Sequence, residues 1–300
     1  MDGAGAQEAL AGGLKPRRAT GAPQVAWPPW TAPAALAAAL VVAAIAGLVV
    51  DIPAAALGVN VTSSHIPHGL EIADTVVQDL CFVAVAVFFA QFGGRRVSSW
   101  QFGLRPTPLR RAIVLMALAA LAWIVFSVIW NVVVQPPREK LLNELGTNVF
   151  SAGLTCVVAP IGEEFLFRGF IFNALRNWRG VGLAAVITGL LFGAVHFGSA
   201  PVLDLVPLAA LGIALCLLYD YTGSLYPCIA FHSLNNSLAF GDLAKWTWAW
   251  QIPALMIGSL AVIGLIVLAL MRARVIANEP NEPPDASRTA SPAGISSAGG

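Results

Sequence analysis

The sequence predicts an all-α fold: a polytopic helical membrane protein with about eight transmembrane helices enclosing an intramembrane polar site. Three observations carry this reading. Of the 300 residues 57% are hydrophobic and only 11% charged, with a mean hydropathy of +0.75, so a soluble chain would be short of polar surface. Several apolar runs reach the length of about 20 residues that crosses a bilayer. Lysines and arginines also alternate between successive connecting segments as membrane topology requires.

The elements follow in order. Residues 1–31 are rich in Ala, Gly and Pro, carry Lys15, Arg17 and Arg18, and predict a flexible cytoplasmic tail. A basic cluster before an apolar run resembles a signal peptide, but the run at 34–50 is too long and further spans follow. Seven more spans are expected at about 72–92, 112–134, 147–172, 181–198, 202–219, 225–241 and 252–271. The seventh of the eight is short and polar for a span. The transmembrane domain is therefore 32–272, and residues 273–300, rich in Pro, Ser, Ala and Gly, predict a disordered cytoplasmic tail.

Eight spans with the N-terminus inside place Lys15, Arg17, Arg18, Arg95, Arg96, Arg105, Arg110, Arg111, Arg176, Arg179, Arg272, Arg274 and Arg288 on the inner side. Arg138, Lys140 and Lys245 fall outside, a division of 13 against 3 that an odd number of spans would scramble. Both termini are then cytoplasmic, in a multi-pass protein of the cell membrane if the source is prokaryotic. Trp27, Trp30 and the stretch "KWTWAWQ" (245–251) sit where interfacial aromatic belts belong. The partners implied are the lipid bilayer and molecules within it, and nothing resembles a nucleic-acid face. Cys81, Cys156, Cys216 and Cys228 lack paired spacing and read as small core residues.

One stretch breaks the apolar pattern. "IGEEFLFRG" (161–169) puts Glu163, Glu164 and Arg168 inside the fourth span. A charge at a helix centre costs ~2.5–3.5 kcal/mol on insertion scales, so three approach ~10 kcal/mol uncompensated. That rivals the whole stability of a typical domain, ~5–15 kcal/mol. These side chains must face the bundle interior, a wet cavity or one another. Glu164 and Arg168 are i,i+4 with the acid N-terminal, the favourable orientation for an ion pair. Glu163 lies about 100° round the helix and has no such partner. Arg168 is expected to neutralise Glu164 while Glu163 points at a cavity, and Pro160 and Gly162 loosen the helix beside it.

Two of the four histidines lie in later spans. In "LLFGAVHFG" (190–198), Phe192 and His196 are i,i+4, and Gly189 and Gly193 form a G-x-x-x-G that admits a neighbouring helix and aims His196 at it. In "FHSLNNS" (231–237), His232 and Asn236 share a face. His65 and His68 read as loop residues. A carboxylate in a half-wet cavity can deprotonate water, and an Asn amide or His N–H can stabilise the oxyanion formed when that water attacks an amide carbonyl. Alternatively Glu163, His196 and His232 could hold a divalent metal such as zinc and leave a position for water. Spacing leaves open whether the cofactor is none or such a metal.

The three motifs together resemble a known family. Glu163-Glu164-Phe165-Leu166-Phe167-Arg168 matches E-E-x-x-x-R, Phe192 to His196 matches F-x-x-x-H, and His232 to Asn236 matches H-x-x-x-N. Their order on three separate spans resembles the CPBP intramembrane proteases, which include type II CAAX prenyl proteases, bacteriocin-processing and immunity proteins and the abortive-infection group. The resemblance makes 147–241 the catalytic core of an eight-helix fold. It implies an endopeptidase acting on a membrane-associated protein or peptide, prenylated substrates included. It implies Glu163 as the water-activating residue, His196 as a helper that binds or activates that water, His232 and Asn236 as the oxyanion-stabilising pair, and Glu164 with Arg168 as the supporting ion pair. Family members are labelled metalloproteases, and a metal-free glutamate mechanism is also proposed for them. On the predicted span limits Glu163 lies near mid-membrane, His232 nearer the inner side and His196 nearer the outer side, so convergence requires tilted or broken helices.

Other readings fit less of the sequence. Tyr219-Asp220 with Ala239-Phe240-Gly241-Asp242 imitates an aspartyl intramembrane protease, but the required first glycine is Ala239 and both acids fall at span ends. There is no H-E-x-x-H, and Gly223-Ser224 is a loop rather than a serine-protease nucleophile. A non-catalytic membrane regulator or immunity-type protein, or a proton-coupled transporter using Glu163 and the intramembrane Asp79, are the non-enzyme alternatives.

Overall fold

The computed structural model describes residues 21–59, 61, 67–92, 94, 97–135 and 149–273, apart from the side chains of His68, Glu71 and Val149. Lys15, Arg17, Arg18, His65, Arg95, Arg96, Arg138, Lys140, Arg274 and Arg288 lie outside the described residues, and with them most of the charge alternation. So do 1–20 and 274–300 of the two expected tails.

The described elements are helical, and no strand occurs among them. They are α1 (Thr31–Ala56), α2 (His68–Ala90), a short 3-10 turn (Ser99–Phe102), α3 (Leu109–Val134), α4 (Val149–Gly153), α5 (Ala159–Glu164), α6 (Asn173–Ala194), α7 (Leu205–Thr222), α8 (Leu225–Leu243) and α9 (Gln251–Arg272). Widened π-helical turns at Leu154–Val158 and Phe165–Phe172 join α4, α5 and α6 into one continuous rod.

Six segments among the described residues are long and apolar enough to cross a membrane, against the eight expected. The difference has two physical causes. The rod from Phe150 to Ala194 counts once, although Gly180 (φ 80, ψ 172) kinks it between the fourth and fifth expected spans. The seventh, α8, is fully helical but carries His232, Ser233, Asn235, Asn236 and Ser237 along its length, so hydropathy does not select it. The chain is a polytopic all-α integral membrane protein.

Pro160 explains the first π turn. It lacks the N–H that would bond one turn back, so the ladder re-forms with an extra residue in the turn before it. The second π turn is entirely buried, and Phe167, Phe170 and Phe172 anchor the core around it. By contrast α3 has no fully buried residue: Leu118, Leu121, Ile129 and Val132 face outward as on a lipid-contacting helix, while Leu115, Ala119 and Trp123 pack partly against the core.

The tightest helix pair is α6 with α7. A Cβ on Gly189 would lie 2.5 Å from Ile213 Cγ1 and 2.7 Å from the Ala209 carbonyl, and one on Gly193 would lie 2.5 Å from the Leu205 carbonyl. Gly212 answers from the other side, its Cβ direction meeting Gly189 Cα at 2.8 Å. Gly189→Val is therefore expected to force the helices apart and cost ~1–3 kcal/mol, the usual penalty of overpacking. Thermal unfolding in detergent checks this against Gly258→Val, where nothing lies within 4 Å.

Residues 21–27 correct the reading of 1–31 as one flexible tail. Ala22, Val25 and Trp27 are buried, Trp27 packing on Phe102 and Phe170 with ring centroids 5.2 and 4.9 Å apart. Arg176 and Asn177 donate to the carbonyls of Pro23 and Val25. Composition alone does not register one tryptophan seated in an aromatic socket.

Candidate active site

The site is assembled from the α5–π–α6 rod, α7 and α8. At its base lies the expected ion pair: Arg168 Nη1 donates to Glu164 Oε1 at 2.7 Å, with both side chains 0% exposed. Arg168 also donates from Nη2 to the Gly212 carbonyl at 3.1 Å and lies over the Phe192 ring, 4.5 Å from its centroid. The guanidinium is thus held by a carboxylate, a carbonyl and an aromatic face. Such support is what a buried charge needs, because an ion pair alone seldom offsets its own desolvation.

His232 reaches this pair from α8. Its Nδ1 lies 2.8 Å from Glu164 Oε1, and because a carboxylate oxygen accepts, Nδ1 carries the proton. Its Nε2 lies 3.8 Å from Glu163 Oε2, beyond a direct hydrogen bond. Glu163, which the helical wheel leaves without a partner, therefore faces an imidazole edge across a short gap. It is 15% exposed, whereas Glu164 beneath it is sealed. Glu163 Oε2 and Glu164 Oε2 are buried atoms with no hydrogen-bond partner among the described residues. Unpaired buried acceptors cost ~1–3 kcal/mol each, so both oxygens call for a donor that no described residue supplies.

Phe192 brings the two histidine rings to one wall. Its centroid is 5.5 Å from the His232 ring, edge-on, and 4.9 Å from that of His196. The position of His196 itself differs from expectation. The fifth span, expected to run to 198, ends at Ala194, and His196 sits in the turn beyond, which closes through Gly198 (φ 94) before Pro201. Its Nδ1 bonds the Phe192 carbonyl of its own chain segment at 2.7 Å rather than a group on the neighbouring helix. A carbonyl only accepts, so Nδ1 is protonated and a neutral His196 presents Nε2 as an acceptor.

Asn236, one turn beyond His232, donates from Nδ2 to the Thr155 carbonyl in the first π turn at 2.9 Å. An amide nitrogen carries two hydrogens, so one remains for another acceptor. That carbonyl is released from the regular ladder by the widened turn, which ties Asn236 to the break Pro160 makes.

Asp79 on α2 was legible only as an unexplained acid. It is 4% exposed, neither carboxylate oxygen has a hydrogen-bond partner among the described residues, and a Cβ on Gly162 would meet Asp79 Oδ1 at 2.7 Å. Gly162, the residue before Glu163, is the small residue that admits it. The rival acid Asp220 is instead held by Arg176 at 3.1 Å, at the end of the bundle where Arg105 bonds the Gly223 carbonyl. The cysteines are free, with Cys156, Cys216 and Cys228 buried.

No three His, Cys, Asp or Glu side chains among the described residues converge closely enough to hold a metal ion. Glu163, His196 and His232 in this arrangement do not fit a zinc ligand set.

Comparison with protein families matches residues 145–238 to the family described as Rce1-like, type II CAAX prenyl endopeptidase Rce1-like. The matched stretch contains all three motifs and supports the CPBP/CAAX protease family. No curated protein and no solved structure matches the chain.

Proposed function

We propose that this chain, at family level a CAAX-type intramembrane protease, hydrolyses a peptide bond of a membrane-associated protein or peptide with water activated by Glu163. The observation that carries the reading is the asymmetry of the adjacent acids. Glu164 is sealed and spent through one oxygen on Arg168 and His232, while Glu163 is partly open and makes no hydrogen bond among the described residues.

A water on Glu163 gives its proton to the carboxylate as its oxygen attacks the substrate carbonyl. His196 Nε2 accepts the other hydrogen of that water and orients it. The oxyanion is met by the second amide hydrogen of Asn236, and by His232 Nε2 when the ring carries both protons. Glu164 fixes the orientation of that ring by holding Nδ1. The C–N bond then breaks, and Glu163 passes its proton to the leaving amine, which restores the carboxylate. The burial of the pair beneath keeps these groups in a low-dielectric setting where each hydrogen bond is worth more than in water. With the inner ends at Arg110, Arg111, Arg176 and Arg272, both termini are cytoplasmic in this proposal.

The test compares protein termini in cells carrying the wild-type chain and cells carrying Glu163→Gln at matched membrane abundance. New termini are expected in the wild type and absent from the variant, and they name the substrate. Identical termini, with the variant still supporting the wild-type phenotype, would replace the protease reading by that of a regulator.

A further inference from the structure

Away from these motifs, α3 and α7 part to form a groove of about 580 Å³ on the outer wall of the bundle. Leu115, Leu118, Ala122, Ile213, Ala214 and Leu217 are among its lining, almost wholly apolar. Small residues on both helices hold the groove open, and two hydrogen bonds bridge the helices at its ends. Trp123 Nε1 donates to the Pro207 carbonyl at 3.2 Å at one end, and Arg111 Nη2 donates to the Tyr221 carbonyl at 2.6 Å at the other. Arg111 and Trp123 are twelve residues apart, about 18 Å along the helix.

At the arginine end the groove continues into a recess lined by Pro108, Arg110 and Arg111, sharing Leu115 and Tyr221 with it. The first turn of α3 holds no acid, and its cap is a proline without a side-chain hydrogen bond. Two cations at a helix N-terminus run against the helix dipole, so that end is strongly electropositive. Arg110 is exposed and has no ion pair or hydrogen bond among the described residues. An apolar trough about 18 Å long, open to lipid and capped by an exposed guanidinium and helix N–H groups, is complementary to an acyl chain bearing an anionic head.

We propose that this groove is a binding site for an anionic phospholipid, its chain between α3 and α7 and its phosphate at Arg110 and the start of α3. The site is separate from Glu163 and its neighbours, so the proposal stands or falls independently of the protease reading.

Trp123 supplies the probe. The full-length protein in neutral detergent is titrated with dibrominated phosphatidylglycerol or dibrominated phosphatidylcholine, and quenching assigned to Trp123 is taken as the difference from Trp123→Phe. The anionic lipid is expected to half-quench at roughly fivefold lower mole fraction, the factor one arginine contributes near an anionic head group. Arg110→Gln is expected to erase that preference and leave quenching by the neutral lipid unchanged. Equal quenching by both lipids in the wild type would mean annular lipid only and overturn the proposal. A preference that survives Arg110→Gln would overturn it as well, since the head group is then read elsewhere. Should Trp123→Phe perturb the groove, native mass spectrometry decides on the same terms by comparing phosphatidylglycerol retained by the wild type and Arg110→Gln.

Discussion

Glu163→Gln is expected to lower the hydrolysis rate of a substrate peptide by ~10²–10⁴, the usual contribution of a positioned general base, and to leave thermal unfolding in detergent unchanged. The two halves of this expectation rest on the same geometry. The Glu163 carboxylate holds no lysine or arginine among the described residues: His232 Nε2 stands off at 3.8 Å, and the side chain is partly open. Replacing it with an isosteric amide strands no charge but removes the group that takes a proton from water. Glu164→Gln is the control, with the opposite signature. It leaves Arg168, 0% exposed, without its neutralising partner and turns the charge-assisted bond from His232 into a weaker neutral one, so stability and rate fall together. A Glu163→Gln protein that cleaves at the wild-type rate would remove Glu163 from the mechanism. One that unfolds like Glu164→Gln would make it a structural acid.

The sequence made the components of this site legible because they are expensive. Two acids and an arginine in an apolar span are hard to overlook, and helical spacing alone pairs Glu164 with Arg168. It also shows Gly189 and Gly193 as a packing face. What periodicity does not encode is which helix meets which face. The bond from His232 to Glu164 spans 68 residues, and the bond from Asn236 to Thr155 spans 81. The expected conflict in membrane depth among Glu163, His196 and His232 assumed straight helices. The rod instead carries two π turns and a kink at Gly180, and His196 stands on a turn past a helix end. Each π turn adds a residue to the register, so faces drawn at 100° per residue drift across it. Asp79 had only an indirect trace, the glycine at 162 that leaves it room.

Arg168→Met is expected to be the most destabilising single change in the site, costing ~3–5 kcal/mol as the breaking of a buried pair does. Methionine fills much of the same volume, so the loss is electrostatic rather than a cavity. Glu164 would keep only His232 against its charge, the Gly212 carbonyl would lose its donor, and Phe192 its cation. The double variant Glu164→Gln, Arg168→Met distinguishes this from simple loss of packing. Glutamine Oε1 still accepts from His232 Nδ1, and no unpaired charge remains. The double variant is therefore expected to unfold at a higher temperature than Arg168→Met alone, with a coupling energy of ~1–3 kcal/mol, typical of groups in one network. Strict additivity would show that Arg168 acts through packing and not through Glu164. Arg168→Lys sharpens the point, because an ammonium keeps the charge but cannot reach the carboxylate and the Gly212 carbonyl from one plane while lying flat on Phe192. It is expected to fold and yet to lose activity, since the oxygen it positions, Glu164 Oε1, is the one that orients His232 towards Glu163.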